Sequence, residues 1–347
     1  MNLSVFNNKG ICGLSNLGNT CYFNVIIQCM NNMHQLSYQL HYQNLIQKFD
    51  STTMTIYQFF LLKWKELSMG LMTYNCIISP KSFLQCFLQI CHQDQQIEFL
   101  QPGQKDSYET YELLIQYYHK AIAIKLSETQ LIEVMNRYQT THTYSDTSLQ
   151  NWKLFLKSDY SPFIEYLYGQ SLTKTICSNC SHEFLNYEGF STLQIPVENI
   201  SSLEEGFELF FSPKETEIDN IWCCSECNQQ NKPIRKTVLD ILPNYLVIVY
   251  KRWNYISNLK NNSLLSFPKQ IDIKSYVNSE NSYQSTNYEL FEICNHIGCS
   301  KDGGHYTAYI KNLNGYWYEY DDESVNKISE EKIETPWAYM LFYKIVK

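Results

Sequence analysis

The hydrophobic pattern of this chain changes its period near residue 160, and this change limits the folds that the chain can adopt. Before that point apolar side chains recur every three or four positions, as on one face of an α-helix; Phe23, Ile26 and Met30 are an example. Later segments alternate and are rich in β-branched and aromatic residues, which is typical of strands; they are 190–197, 238–250 and 306–320. The polar segment 139–151 predicts a loop. We therefore expect an α+β fold with a helical first third.

Composition excludes several classes of protein. The 347 residues are 44% hydrophobic, which excludes a disordered chain. The formal charge of −8 disfavours a partner such as nucleic acid, whose binding proteins are net basic. No apolar run approaches the roughly 20 residues of a membrane span, and no signal peptide begins the sequence. Thirteen cysteines, an odd number, indicate a reducing compartment. We expect an intracellular protein, cytoplasmic, nuclear or both, without a nucleic-acid or membrane partner.

One cysteine, Cys21, lies where a glycine-containing turn enters a helix with an apolar face. The helix dipole and free backbone N–H groups stabilise a thiolate at such a position, which is typical of a nucleophile. Asn16, five residues earlier, can aim its amide at an oxyanion. The residues alone leave open whether Cys21 is a nucleophile or a buried thiol. We expect buried thiols at Cys12, Cys29, Cys76, Cys86, Cys91, Cys294 and Cys299.

A hairpin near the carboxyl end supplies the partners that a nucleophilic cysteine needs, a base and a group that orients the base. Segments 306–311 and 316–320 predict two strands joined by a tight turn. If Ile310 faces Tyr316, the antiparallel register places His305 directly opposite Asp321, within reach of a hydrogen bond.

Two alternatives remain open at this hairpin. Asp322 points to the opposite face in the predicted register, and a slip of one residue would exchange the roles of Asp321 and Asp322. His296 is the competing base, but it has no comparable carboxylate partner in the sequence. We prefer His305.

Two cysteine pairs, Cys177 with Cys180 and Cys224 with Cys227, each have the C-x-x-C spacing that chelates Zn²⁺ through thiolates. Both pairs flank one strand-rich segment, so we predict a single structural zinc site with four cysteine ligands. Cys223 is the alternative to Cys224 as a ligand.

Several segments together resemble the ubiquitin-specific proteases (USPs), a family of papain-like cysteine peptidases. GLSNLGNTCYFN resembles the cysteine box of the family, GHYTAY with WYEYDD resembles its histidine box, and QKDSYE is similar to its Gln-Asp box. PNYLVIVYKRW and AYMLFY resemble two of its strands. In chain order these segments are 13–24, 104–109, 243–253, 304–309, 317–322 and 338–343. The resemblance therefore covers almost the whole chain.

The resemblance implies roles for individual residues. Cys21 matches the nucleophile, His305 the base and Asp321 the acid that orients the base. Asn16 matches the oxyanion residue, and Asp322 a second acidic position that supports the base in some members.

The resemblance also implies contacts with substrate. Asp106 and Glu109 fall where the family binds the arginine-bearing tail of ubiquitin. Tyr306 falls where the family lines the channel for the Gly-Gly end of that tail.

The implied fold is a hand-shaped papain-like peptidase within a single catalytic domain, 1–347. The helical thumb spans about 10–125, the zinc-pinned β fingers about 170–240, and the palm about 126–169 and 241–347.

The implied activity is that of a deubiquitinase. It hydrolyses the isopeptide or peptide bond after the C-terminal Gly of ubiquitin through an acyl-enzyme on Cys21, with ubiquitin and ubiquitinated proteins as partners and structural Zn²⁺ as cofactor. The alternatives are a peptidase for another ubiquitin-like modifier and a catalytically weak ubiquitin-binding module.

Overall fold

A computed structural model describes residues 2–42, 53–73, 75–139, 142–215, 222–254, 259–300 and 303–346. The chain forms two compact units, each assembled from more than one segment. The first unit contains Met1–Ala123, Ile248–Ser266 and Leu290–Tyr343, and the second contains Ile124–Val247, Phe267–Glu289 and Lys344–Lys347. The predicted division into thumb, fingers and palm stays a prediction.

Helices dominate the amino-terminal part of the first unit, as the three- and four-residue spacing predicts. They are Cys21–Asn32, His34–Tyr42, Ile56–Thr73, Lys81–Gln93, Ile97–Leu100 and Ser107–Ile122. Every side chain of the first of these helices is buried. Rings pack together in this part of the core; they include Phe23, Phe60, Trp64, Phe83, Phe87 and Tyr118. Among the described residues no helix combines the length and the apolar character that crossing a bilayer requires.

The first unit also contains strands of a sheet, among them the two hairpin strands that bear His305 and Asp321. Six neighbouring strands of this sheet are, in spatial order, Ser324–Ile328, Trp317–Asp321, Gly303–Lys311, Asn287–Ser300, Ala338–Ile345 and Tyr245–Lys251. Two short pairs accompany it: Gly13–Leu14 runs parallel to Ile77–Ile78, and Trp253–Asn254 runs antiparallel to Leu259–Lys260.

The hairpin register is two residues away from the one predicted. Lys311 pairs with Trp317 and Ala308 with Tyr320, so Ile310 faces Tyr318. The difference arises at the turn, where the backbone N–H of Asn312 donates to the carbonyl of Tyr316 (3.0 Å). The strand pair nearest the turn is therefore Lys311 with Trp317 instead of Ile310 with Tyr316. A shift of two residues leaves every side chain on its predicted face.

The second unit combines helices with a four-stranded sheet. Its helices are Glu128–Gln139, Asp146–Ser158, Ile164–Leu167 and Leu203–Phe211. The sheet is Glu183–Phe190, Gly169–Ile176, Ile234–Ile241 and Lys214–Glu215 in spatial order. The other strands are His142–Thr143, Thr192–Pro196, Trp222–Cys223, Gln230–Asn231, Gln270–Asp272 and Ser282–Tyr283.

The prediction of a loop over 139–151 is wrong for most of that segment. Residues 142–143 form a strand, and a helix starts at Asp146 after Ser145, whose hydroxyl accepts a hydrogen bond from the backbone N–H of Ser148 (3.3 Å). Trp152 and Leu156 on this helix are fully buried. The polar residues that suggested a loop cap the helix and cover its outer face. Residues 140–141 lie outside the described part of the chain.

A buried carboxylate, Asp240, organises the core of the second unit. It accepts hydrogen bonds from the side chains of Ser148 (2.8 Å), Gln170 (2.7 Å), Asn278 (2.8 Å) and Asn281 (2.9 Å). Four donors offset the cost of burying this polar group.

Two of the seven cysteines expected to be buried, Cys76 and Cys299, are exposed, and the other five are buried. Cys76 precedes a two-residue strand at its exposed end, and Cys299 lies close to the end of a long strand. An apolar side chain at such a position has few neighbours to cover it.

Candidate active site

Cys21 is the first residue of its helix, as predicted, and is 3% exposed. The turn before it is held by Thr20, whose hydroxyl accepts a hydrogen bond from the backbone N–H of Leu17 (2.9 Å). Gly18 and Asn19 have φ angles of +102° and +53°, in the left-handed region that glycine and asparagine tolerate. This local turn directs the thiol into the beginning of the helix, where backbone N–H groups lack intrahelical partners.

His305 lies between Cys21 and Asp321. Its Nε2 is 2.5 Å from Oδ1 of Asp321, which leaves Nδ1 available to a second partner. The Cys21 thiol first, and then the hydrogen bond with Asp321, raise the pKa of His305 to about 9, against the opposing effect of burial. The imidazole is therefore protonated at neutral pH.

The competing histidine, His296, has a different environment. It is fully buried between the rings of Trp253 (5.4 Å between centroids) and Tyr306 (4.6 Å). Burial lowers the pKa of His296 to about 3, so its ring is neutral. Neither ring nitrogen has a hydrogen-bond partner among the described residues. The geometry favours His305 as the base.

Asp322 joins the histidine hairpin to the cysteine turn. Its Oδ2 accepts from the Asn16 amide (2.7 Å) and its Oδ1 from the Asn24 amide (2.7 Å). The φ angle of Asp322 is +47°, so the chain leaves the strand at Asp321 and turns toward these amides. One nitrogen or carboxylate oxygen from each of His305, Asp321 and Asp322 lies within 4.8 Å of the others.

Both ends of the Asn16 side-chain amide are held by hydrogen bonds: the nitrogen donates to Asp322, and the oxygen accepts from the backbone. Its Oδ1 accepts hydrogen bonds from the backbone N–H groups of Gly18 (3.0 Å) and Thr20 (3.2 Å). The side chain is thereby oriented before any substrate binds.

Gln104 is a site residue that the sequence reasoning missed. Its Nε2 donates to Sγ of Cys21 at 3.2 Å. The available signal was its place at the beginning of the QKDSYE segment, just before a helix that packs on the helix of Cys21. No local pattern reveals a contact between residues 83 positions apart.

The residues expected to bind the substrate tail lie in the same unit. Both carboxylate oxygens of Asp106 accept from the hydroxyl of Tyr339 (2.9 Å each), and Oδ1 also caps a helix by accepting from the backbone N–H of Tyr108 (2.7 Å). Glu109 is half-buried in the first turn of that helix. Tyr306 is 3% exposed.

The second unit brings together the four cysteines that the sequence predicts as metal ligands. The Sγ atoms of Cys177 and Cys227 are 3.8 Å apart, and those of Cys180 and Cys224 are 3.7 Å apart. A regular tetrahedron with Zn–S bonds of about 2.3 Å has edges of about 3.8 Å, so the spacing fits a zinc ion. The alternative ligand Cys223 is exposed and does not belong to this group of thiols.

The two halves of this cluster have the same backbone pattern. The N–H of Cys177 donates to the carbonyl of His182 (3.0 Å), and that of Cys224 donates to the carbonyl of Gln229 (3.1 Å). Ser181 and Asn228, each one residue after a second cysteine, have φ angles of +59° and +54°. Each half is thus a tight turn that presents two sulfur atoms to one point.

Several known proteins are similar to this chain. The family model described as ubiquitin carboxyl-terminal hydrolase matches residues 12–343. Ubiquitin carboxyl-terminal hydrolase 4 of Vanderwaltozyma polyspora is 28% identical, over 95% of this chain and 40% of the relative. Ubiquitin carboxyl-terminal hydrolase 2 of Bos taurus is 27% identical, over 97% of this chain and 55% of the relative. The chain spans about half the length of the curated relatives that it matches.

Solved structures share the fold. A chain of the SAGA DUB module Ubp8/Sgf11/Sus1/Sgf73 bound to monoubiquitin superposes with a TM-score of 0.77 at 20% identity, covering 98% of this chain and 70% of that chain. A structure of the same module bound to ubiquitin aldehyde gives a TM-score of 0.73. This likeness confirms the mixed helix-and-sheet fold class expected from the resemblance.

Proposed function

The chain belongs to the ubiquitin carboxyl-terminal hydrolase family, and from this premise we propose that it is a thiol-dependent deubiquitinase. It hydrolyses the isopeptide or peptide bond after the C-terminal Gly of ubiquitin. The observation that carries the proposal is the arrangement of Cys21, His305 and Asp321: the imidazole is hydrogen-bonded to Asp321, and Cys21 raises its pKa. This is the arrangement of nucleophile, base and orienting acid that acyl transfer requires.

The reaction divides into two steps. The Cys21 thiolate attacks the carbonyl carbon of the C-terminal Gly, and His305, protonated at neutral pH, gives its proton to the departing lysine amine. The carbon–nitrogen bond breaks and a thioester on Cys21 remains. His305, now neutral, takes a proton from water, the water attacks the thioester, and ubiquitin leaves with a free carboxylate. Asp321 orients the ring and stabilises its charged form throughout.

The oxyanion of both steps is stabilised by the side-chain amide of Asn16 and by backbone N–H groups at the beginning of the helix. The NH₂ group of an amide has two hydrogens, and the hydrogen bond with Asp322 takes one, which leaves one to be directed at the oxyanion. Asp322 therefore acts as a positioning residue. Gln104 holds the Cys21 sulfur in place through its own amide.

The tail of ubiquitin is bound by Asp106, Glu109 and Tyr306. The two acidic groups supply carboxylates for arginine side chains of the tail, with which carboxylates form strong paired hydrogen bonds. The net charge of −8 favours approach of a basic surface.

Cys177, Cys180, Cys224 and Cys227 hold a structural Zn²⁺ ion in a closed site. The metal links two turns that have no other covalent connection close by, and so stabilises this part of the fold. Four thiolate ligands and a thiol nucleophile need reduced cysteines, which supports an intracellular location, cytoplasmic or nuclear. Ubiquitinated proteins are the proposed partners.

A ubiquitin derivative with a C-terminal electrophile tests the proposal. The purified protein should form a covalent adduct that is lost in Cys21→Ala and retained in Cys299→Ala, a matched control at an exposed cysteine. The same electrophilic probe is also made from another ubiquitin-like protein. If that probe forms an adduct and the ubiquitin probe does not, the activity is assigned to the other modifier. Binding of ubiquitin without an adduct would leave only a ubiquitin-binding module.

A further inference from the structure

Two cysteines that the proposed reaction does not use lie side by side at the beginning of the parallel pair Gly13–Leu14 and Ile77–Ile78. Gly13 pairs with Ile77 and Leu14 with Ile78, so the preceding positions in the same register are Cys12 and Cys76. Sγ of Cys12 contacts the carbonyl oxygen of Cys76, so the buried thiol lies against the backbone of the exposed cysteine.

We propose that Cys12 and Cys76 are a redox-sensitive modification site that closes to a reversible disulfide. Neighbouring strands lie about 4.7–4.9 Å apart, and disulfides join Cα atoms separated by about 4.4–6.8 Å. Residues at the same level of a parallel pair therefore have the separation that a disulfide requires.

The two thiols differ in access, and this gives the order of the steps. Cys76 is exposed, whereas Cys12 is 1% exposed. The oxidant is a small disulfide such as oxidised glutathione. The Cys76 thiolate attacks one of its sulfur atoms and releases one thiol, which leaves a mixed disulfide on Cys76. Cys12 then attacks the sulfur of Cys76 and releases the second thiol. The two cysteines lose two electrons and two protons, and the small disulfide is reduced to two thiols.

Burial makes the second step dependent on pH. It raises the pKa of Cys12 to about 11, and only the thiolate attacks a disulfide. The rate of the second step should therefore rise with pH between pH 7 and pH 10.

The site is continuous with the proposed active site. On its other side the strand Gly13–Leu14 contacts the hairpin: the N–H of Leu14 donates to the carbonyl of Asp322 (2.8 Å), and a Cβ on Gly13 would lie 2.2 Å from the carbonyl oxygen of Glu323. A disulfide would fasten Ile77–Ile78 to this strand. It would also close a loop across 64 positions, which restricts the unfolded chain and raises the Tm by roughly 3–8 °C.

The test uses the zinc-loaded full chain with Cys21→Ala, so that the proposed nucleophile does not react. After treatment with oxidised glutathione at pH 8, thiols are blocked and peptides analysed by mass spectrometry without reduction. We expect a linked peptide pair containing Cys12 and Cys76, with a higher Tm that returns to its starting value on reduction.

The two further variants change Cys76 or Cys299 instead of Cys12, because a change at buried Cys12 can disturb folding. Both are made in the Cys21→Ala background. Cys76→Ser should abolish both the linked pair and the rise in Tm, while Cys299→Ser, at another exposed cysteine, should retain both. The proposal is overturned if glutathione stays attached to Cys76 at pH 8–10, or if Cys76 links to a cysteine other than Cys12. It is also overturned if Cys299 is modified while Cys76 stays reduced.

Discussion

Replacing Asp321 by Asn should move the alkaline limit of activity toward lower pH. The wild-type His305 has a pKa of about 9, raised by Cys21 first and by the Asp321 carboxylate as a further cause. Asn keeps the shape of the side chain but removes its charge, so the imidazolium loses one of its two stabilising partners. The side chains of His305 and Asp321 are 38% and 47% exposed, and solvent therefore screens their interaction. We expect a shift of about one pH unit.

The rate should fall as well, because the imidazole loses the group that orients it. We expect kcat/KM to decrease about 10- to 100-fold at pH 7, less than for a fully buried triad, since this pair is partly solvated. The assay measures kcat/KM for a fluorogenic ubiquitin amide between pH 5 and pH 10.

The direction of the shift is the decisive part of the result. A group whose pKa is raised in the folded enzyme is protonated below that pKa, so activity that needs the imidazolium is present below about pH 9 and lost above it. Asp322→Asn is the matched control, because it removes a carboxylate one residue away that binds amides rather than the ring. An unchanged alkaline limit in Asp321→Asn, or the same shift in Asp322→Asn, would refute the reasoning.

Three further predictions follow from contacts described above. Gln104→Ala should slow reaction with the electrophilic ubiquitin probe about tenfold, whereas Lys105→Ala should leave the rate within twofold; equal rates in both variants would remove Gln104 from the site. Cys180→Ser should lose the bound zinc measured by elemental analysis and lower the Tm, while Cys223→Ser should keep its zinc; zinc loss in the second variant alone would reassign the ligand. Asp240→Ala should reduce the free energy of unfolding in urea by about 3–5 kcal/mol, because four donors, three of them on buried residues, lose their acceptor; a loss below about 1 kcal/mol would contradict the described network.

Local features of the site could be predicted from the sequence. The position of Cys21 at a helix start follows from a glycine-containing turn and an apolar period, both contained in a dozen residues. The contact between His305 and Asp321 was also correct, although the predicted register was wrong by two residues. The error did not matter for the contact because strand side chains repeat every second residue.

Contacts between distant segments could not be predicted in the same way. The Gln104 amide reaches Cys21 because two helices pack together, and packing is not visible in a single periodic pattern. The turn at Asp322 depends on amides supplied by Asn16 and Asn24, near the opposite end of the sequence. The helix Asp146–Ser158 was missed for a local reason, since its capping residues have the composition of a loop.

The hydrogen bond between Asn16 and Asp322 also has a consequence for biosynthesis. Its two residues are 306 positions apart, and a ribosome adding about 5–20 residues per second needs roughly 15–60 s to travel between them. For most of that interval the nascent chain carries the proposed nucleophile Cys21 but has neither His305 nor Asp321. A polypeptide released before the hairpin is made would therefore retain an inert thiol, so activity requires that the hairpin has been synthesised.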